Sequence, residues 1–182
     1  MARYVALLRG INVGGRNLIK MPDLKACFES DGFQGVATYI QSGNVLFDAG
    51  DGSVAALTER IEGMLTSTFD YRAVVIVRSA RQLRAIVERA PAGFGTDPTL
   101  HRYDVVFLKA PLTASAVMKS IPTRGEVDRA EGGSGVIYFS RLISKAAQSR
   151  LSSIVSVPAY HDMSIRNWNT TTNLLRKLVE RR

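Results

Sequence analysis

The strongest constraint on the fold is the order in which strand-like and helix-like segments follow one another early in the chain. Short apolar runs rich in β-branched residues predict strands, and apolar residues three and four positions apart predict helices. In chain order the segments are a strand at Arg3–Arg9, a helix after Pro22, strands at Val36–Gln41 and Val45–Phe47, a helix after Ser53 and a strand at Arg72–Arg78. The order β-α-β-β-α-β is that of the split βαβ, or ferredoxin-like, unit.

The remainder of the chain follows the same order. Strands are predicted at Tyr103–Lys109, Glu126–Ala130 and Val136–Ser140, helices from Thr113 and over Ser144–Ile154, and a final helix at about Thr170–Glu180. The last strand of this second set is left open. We therefore expect an α+β protein of two ferredoxin-like units, antiparallel sheets with helices on one face. Residues 1–79 would form the first unit and residues 80–182 the second, which includes the C-terminal helix.

Composition excludes several classes of protein. The 182 residues are 46% hydrophobic and 22% charged, and the apolar runs are far shorter than the ~20 residues of a membrane span. The single cysteine, Cys27, excludes an internal disulfide, and His101 and His161 lack metal-ligand spacing. Residues 1–4 lead directly into a strand without a signal-peptide core. We expect a cytoplasmic protein with no membrane partner, metal or cofactor, and the oligomeric state is not constrained.

The charge of the chain is unevenly distributed. The net charge is +8, and residues 101–182 carry 13 Lys and Arg against 6 Asp and Glu. A basic half favours anionic partners, including nucleic acid, although it serves solubility equally well.

The stretch from Arg9 to Met21 is the first candidate binding loop. Glycine amides can converge on an anion while cations neutralise it, and the stretch contains Gly14 and Gly15 between Arg9 and Arg16, with Asn12. The nucleotide P-loop pattern is not met, because no hydroxyl-bearing residue follows Gly14 and Gly15 and the helix starts later, at Pro22. The stretch is either a loop for an anion or polar ligand or a glycine-rich turn with solvated charges.

Two further stretches concentrate polar side chains. Gln41, Ser42 and Asn44 form a predicted hairpin tip, where they serve either a ligand or the turn itself. We expect this tip and the glycine loop to lie at opposite edges along the first strand, unless the loop folds back.

The third stretch is Arg166, Asn167, Trp168 and Asn169, which precedes the last helix. Asparagine is a good helix N-cap, but capping requires neither the arginine nor the tryptophan. Together these residues can clamp a carboxylate, a phosphate or a base. Alternatively, they dock the C-terminal helix onto the core.

Catalytic constellations are not evident. Cys27 lies on the apolar face of its helix, and His101 and His161 are surface or packing residues by position. Glu126, Asp128 and Glu131 alternate with arginines, which is typical of a solvated strand. Whether the protein is an enzyme is therefore left open, and no catalytic residue is assigned. The RNA-recognition signature is also missing, although Tyr4 and Phe47 lie near the strands that such modules use.

Three segments together resemble one known family. They are residues 7–15 (LLRGINVGG), residues 39–45 (YIQSGNV) and residues 166–170 (RNWNT). In this combination and order they resemble the DUF1697 family of bacterial proteins over nearly the whole chain. The resemblance implies a two-part α+β fold of ferredoxin-like units and no particular activity. The family usually has a lysine where this chain has Asn173, so a ligand role of that position would be altered here.

Three functional hypotheses follow. The first is a protein that binds an anionic small molecule such as a nucleotide or phosphorylated metabolite. Its residues would be Arg9, Asn12, Gly14, Gly15, Arg16, Asn44, Arg166, Asn167, Trp168 and Asn169. The second is a nucleic-acid-binding module, and the third is a non-catalytic interaction protein.

Overall fold

The structure, a computed structural model, describes residues 1–41, 43–50 and 52–180. Two units are compact in themselves. The first contains Met1–Arg84 together with the last helix from Leu174 onward, and the second contains Ala85–Asn173.

The first unit contains a four-stranded antiparallel sheet. Its strands are β1 (Ala2–Leu8), β2 (Gln34–Tyr39), β3 (Asn44–Ala49) and β4 (Val75–Ser79), in the order β2-β3-β1-β4. Helix α1 (Met21–Ser30) connects β1 to β2, and α2 (Val54–Phe69) connects β3 to β4. This is the predicted β-α-β-β-α-β order, with β1 in the interior of the sheet as its unbroken apolar run predicts.

Local sequence explains both helices of the first unit. Helix α1 starts with proline within its first two positions and buries Leu24 and Phe28 at i and i+4. In α2, the Ser53 hydroxyl accepts a hydrogen bond from the Ala56 amide and caps the helix. The rings of Phe28, Phe33 and Phe47 contact one another in the core, with centroids 4.8–5.6 Å apart.

The second unit contains a second four-stranded antiparallel sheet. Its strands are β5 (His101–Leu108), β6 (Asp128–Gly133), β7 (Val136–Leu142) and β8 (Met163–Asn167), in the order β6-β7-β5-β8. Strand β8 is the element that the sequence left open, and it gives the two sheets the same strand order. The remaining helices of the chain are α3 (Ala80–Glu88), α4 (Ala114–Val117) and α5 (Trp168–Glu180). The boundaries between the units fall within α3, after Arg84, and within α5, before Leu174.

The predicted helix over Ser144–Ile154 is wrong. The connection from β7 to β8 consists of three 3₁₀ segments, Ile143–Gln148, Leu151–Ser156 and Pro158–Asp162. Leu151, Ile154 and Val157 are buried at intervals of three residues, which is the repeat of a 3₁₀ turn rather than an α-helix. Serines in this segment favour local turns over helix, and Pro158 lacks the N–H that a continuing helix needs.

None of the helices in the described ranges is both long and apolar enough to cross a membrane.

Candidate functional site

The glycine-rich stretch after β1 folds into a miniature hairpin. The Asn12 amide donates to the Asn17 carbonyl and the Arg16 amide to the Val13 carbonyl, both at 3.1 Å. Gly14 and Gly15 at the tip have φ of 59° and 74°, and two successive positive φ angles are what a type I′ hairpin turn requires. The turn alone therefore accounts for this pair of glycines.

The Asn12 side chain ties the hairpin to its surroundings. Its Oδ1 accepts a hydrogen bond from the Ile19 amide at 2.8 Å, and its Nδ2 donates to the carbonyls of Ile19 and Gln41 at 2.9 and 3.0 Å. Asn12 itself has φ of 53°, a conformation that asparagine tolerates better than most residues. Its amide thus has a structural role, and its predicted contact with a ligand stays a prediction.

The glycine hairpin and the β2–β3 tip lie at the same end of the sheet, so the expectation of opposite edges was wrong. Leu7 pairs with Asn44, and the Leu8 amide donates to the Gly43 carbonyl at 2.7 Å. In an antiparallel pair, the end of one strand lies beside the start of the other. Ser42, part of the predicted turn, lies outside the described residues.

The other predicted residues of the first unit differ in accessibility. Asn44 is fully buried, and its Nδ2 donates to the Tyr39 carbonyl at 3.0 Å, which closes the β2–β3 tip. Arg9 is half-buried and its amide donates to the Val74 carbonyl. Arg16 is exposed beside the exposed Gly14 and Gly15.

In the second unit, Arg166 and Asn167 also have structural partners. Arg166 is 9% exposed, and its Nη1 donates to the Ser164 hydroxyl and the Ile165 carbonyl, both at 2.9 Å. Burial lowers the pKa of Arg166 to about 10, because the charged form is disfavoured away from water. The Asn167 Oδ1 accepts from the Thr170 amide at 2.7 Å and caps α5.

Trp168 supports a loop that lies before β5. Its ring packs edge-to-face against Phe94, with centroids 5.1 Å apart and planes at 88°. The same ring covers Gly95, whose φ of 81° and lack of a side chain permit the contact. The Asn169 Oδ1 accepts from Asn173 Nδ2 at 3.2 Å along α5. Trp168 thus holds the segment of residues 91–97 in place.

That segment forms one rim of a cleft of about 500 Å³ within the second unit. Alternate residues of β5 and β7 form the floor, and residues 126–129 and 131 form a wall on the side of β6. The lining consists of Pro91, Ala92, Gly93, Phe94, His101, Tyr103, Glu126, Val127, Asp128, Arg129, Glu131, Tyr138, Ser140 and Leu142.

The aromatic floor is rigidly held. The Tyr138 hydroxyl donates to the Ile86 carbonyl at 2.6 Å, and the Tyr103 hydroxyl accepts from the Asp97 amide at 3.2 Å. Phe94 packs edge-on against both tyrosine rings, at 5.3 and 4.9 Å. Burial raises the pKa of Tyr138. The tyrosines therefore shape the floor, while their hydroxyls already have partners.

Polar groups with unused hydrogen-bonding capacity lie on the same floor. The Nδ1 atom of His101 is buried without a hydrogen-bond partner, and the Ser140 hydroxyl has none among the described residues. The floor can thus offer a ligand the Ser140 hydroxyl and the accessible part of the His101 ring, whereas Nδ1 itself is shielded.

The wall carries the charges of the cleft. Arg129 and Glu131 form an ion pair at 2.6 Å. Glu126 is exposed, forms no ion pair among the described residues, and has an unusual φ of 67° for a residue other than glycine. The Asp128 Oδ2 accepts from the amides of Arg124 and Arg150. The lining therefore contains three carboxylates and one guanidinium.

Sequence reasoning missed this cleft because cross-strand register assembles it. Tyr103 of β5 pairs with Ser140 of β7, which lies far along the chain, and Arg129 and Glu131 pair with Ser140 and Tyr138 across the β6–β7 hairpin. One signal was present, since His101 and Tyr103, like Tyr138 and Ser140, are two positions apart and so share a face of the sheet. No group of three metal-ligating side chains is found within residues 1–41, 43–50 and 52–180.

Two comparisons identify relatives of the chain. The model of the family described as "Protein of unknown function (DUF1697)" matches residues 1–138. A similar solved structure is that of the conserved bacterial protein SP0830 from Streptococcus pneumoniae, with 26% sequence identity, a TM-score of 0.85 and 99% of each chain covered. No curated protein matches the chain. The family resemblance and the α+β fold expected from the sequence are thereby confirmed.

Proposed function

The chain belongs to the DUF1697 family, and from this premise we propose that it is a small-molecule-binding protein whose ligand site is the cleft of the second unit. The observation that carries the proposal is the cleft itself, with its aromatic floor and the polar side chains of His101 and Ser140 in its lining. A volume of about 500 Å³ falls within the range of small-molecule sites, which combine apolar walls with a few polar groups.

Two features support a binding role over a merely irregular surface. The lining combines aromatic side chains with the imidazole of His101 and the hydroxyl of Ser140, and this combination of apolar surface with a few polar groups is typical of small-molecule sites. The floor is also prepared before a ligand arrives, since Phe94, Tyr103 and Tyr138 are fixed by hydrogen bonds and ring contacts. Such preorganisation lowers the entropic cost of binding.

The test uses the two histidines of the chain as reporters. A library of small polar ring compounds is titrated while the imidazole C–H proton resonances are recorded. Ligands of the cleft should shift the His101 signals and leave those of His161, whose side chain is 70% exposed in the β7–β8 connection, unchanged. His161→Gln assigns the signals. If no compound moves the His101 signals selectively, the proposal fails.

An anionic small molecule, such as a nucleotide or phosphorylated metabolite, is the second candidate, and the glycine hairpin would bind it. The observation in its favour is that the amides of Gly14 and Gly15 are exposed and unpartnered within the described structure, beside the exposed Arg16. Titration with pyrophosphate, with Arg16→Gln as the variant and Arg72→Gln as the control, tests it. Binding that survives Arg16→Gln unchanged would remove this site.

Base stacking, which the nucleic-acid hypothesis would use, has little support. Tyr4 and Phe47 stack on each other at 5.5 Å inside the core, exposed by 6% and 0%, and Phe94 packs edge-on against Tyr103 and Tyr138. A charge-driven mode would make log K fall linearly with log[salt]. Absent or salt-insensitive binding to single-stranded RNA would exclude that mode.

A further inference from the structure

The charges that line the cleft are unbalanced, and this imbalance bears on which ligand it accepts. Glu126, Asp128 and Glu131 contribute three carboxylates, and Arg129 contributes one guanidinium. The guanidinium is already paired with Glu131 at 2.6 Å, so it offers an anion little uncompensated positive charge. Glu126 has no ion-pair partner among the described residues.

We infer that the cleft selects a small ring compound bearing an ammonium or other cationic group over its anionic counterpart. The inference rests on the proposed function and specifies the ligand class of that same site. The ring would occupy the apolar part near Phe94 and Leu142, and the cation would lie toward Glu126.

Asp128 and Glu131 contribute less to the selection than Glu126. The Asp128 Oδ2 is bound by the amides of Arg124 and Arg150 at 2.9 and 2.8 Å, and its position alternates with those of Arg129 and Glu131, which face the floor with Ser140 and Tyr138. Glu131 is already paired with Arg129. Glu126 is therefore the residue that should set the charge preference.

The experiment compares benzylamine, benzyl alcohol and benzoate, which share a ring and differ in charge. Each is titrated into the full chain at low ionic strength, where charge effects are least screened, with the His101 resonances as the readout. A charge difference near a partly buried site predicts that benzylamine binds about tenfold more tightly than benzoate. In the Glu126→Gln variant, which leaves the Arg129–Glu131 pair intact, the ratio should fall to about one.

A matched control separates local from long-range effects. Glu88→Gln removes an exposed carboxylate on α3, outside the cleft lining, and should leave the ratio unchanged. If benzoate binds the wild-type chain as tightly as benzylamine, the charge inference is overturned while the cleft remains a ligand site. If none of the three compounds shifts the His101 signals but another library compound does, the inference is again overturned. If no compound does so, the proposed function and the inference fall together.

Discussion

Replacing Gly95 by alanine should destabilise the second unit and release Trp168 from its packing position. A Cβ at Gly95 would lie 2.5 Å from Trp168 Cδ1 and closer still to Nε1, so the indole must move. The φ of 81° adds about 1–2 kcal/mol for a residue with a side chain, and overpacking adds about 1–3 kcal/mol. We expect a total loss of roughly 2–5 kcal/mol in the free energy of unfolding.

Gly93 provides a matched control in the same loop. Its φ is 79°, nearly that of Gly95, but the nearest atom to an added Cβ is the Thr96 hydroxyl at 4.0 Å. Gly93→Ala therefore incurs the backbone cost alone, about 1–2 kcal/mol. The difference between the two variants isolates the steric conflict with Trp168, because any change in the entropy of the unfolded chain is common to both.

Trp168 is the only tryptophan, so urea denaturation followed by its fluorescence reports on the second unit. The native emission of Gly95→Ala should also shift, since the ring leaves its contact with Phe94. Equal unfolding midpoints for the two variants would refute the reasoning, as would an unchanged native emission spectrum in Gly95→Ala.

Substitutions at three further positions test other parts of the structure. Ile40 is 49% exposed and has φ of 50°, a conformation that asparagine tolerates better than isoleucine. Ile40→Asn should therefore raise the free energy of unfolding, measured by urea denaturation, by about 1 kcal/mol. A lower free energy of unfolding would show that Ile40 is not strained. Asn12→Ala removes the side-chain hydrogen bonds to Ile19 and Gln41, so it should lower the free energy of unfolding by about 2 kcal/mol and speed the amide exchange of Ile19. Asn12→Asp keeps the acceptor for the Ile19 amide and should lower the free energy of unfolding by less. Equal exchange rates in the wild type and both variants would contradict this. Burial raises the pKa of Asp104 above 3.8, so the ionised carboxylate is disfavoured in the folded state. The free energy of unfolding of the wild type, measured relative to Asp104→Asn, should therefore fall as pH rises from about 3.8 through the folded-state pKa. A difference that rises over that range would contradict the burial effect.

The order of the strands was predictable because it depends on hydrophobic patterns within short stretches of the sequence. The apolar run of β1 and the two apolar segments flanking the β2–β3 turn were each recognisable by composition, and the split βαβ order then restricted the topology. Strand β8 was harder, since it buries Met163, Ser164 and Arg166 and so lacks the apolar alternation that marks a strand. The prediction of an α-helix between β7 and β8 failed for a related reason. In a short segment, apolar residues that repeat every three positions are easily taken for the 3.6-residue repeat of an α-helix.

The cleft could not be predicted because it depends on register rather than on any stretch of sequence. His101 and Ser140 come to the same face only when β5 and β7 pair with Tyr103 opposite Ser140, and a shift of one residue would turn each side chain to the other face.

The three stretches that make the family recognisable have a common physical role, which is to shape loops. Gly14 and Gly15 permit the type I′ turn, Asn44 closes the β2–β3 tip, and Trp168 packs on Gly95 beside the cleft. Each residue thus has a reason for its identity that requires no ligand. In the second unit this role also bears on the proposed binding site. The loop that Trp168 holds contains Phe94, and the Phe94 ring packs against the tyrosines of the cleft floor. Loss of cleft binding in Gly95→Ala, with binding retained in Gly93→Ala, would therefore identify Trp168 as a positioning residue for the cleft, while retention in both would restrict its role to stability.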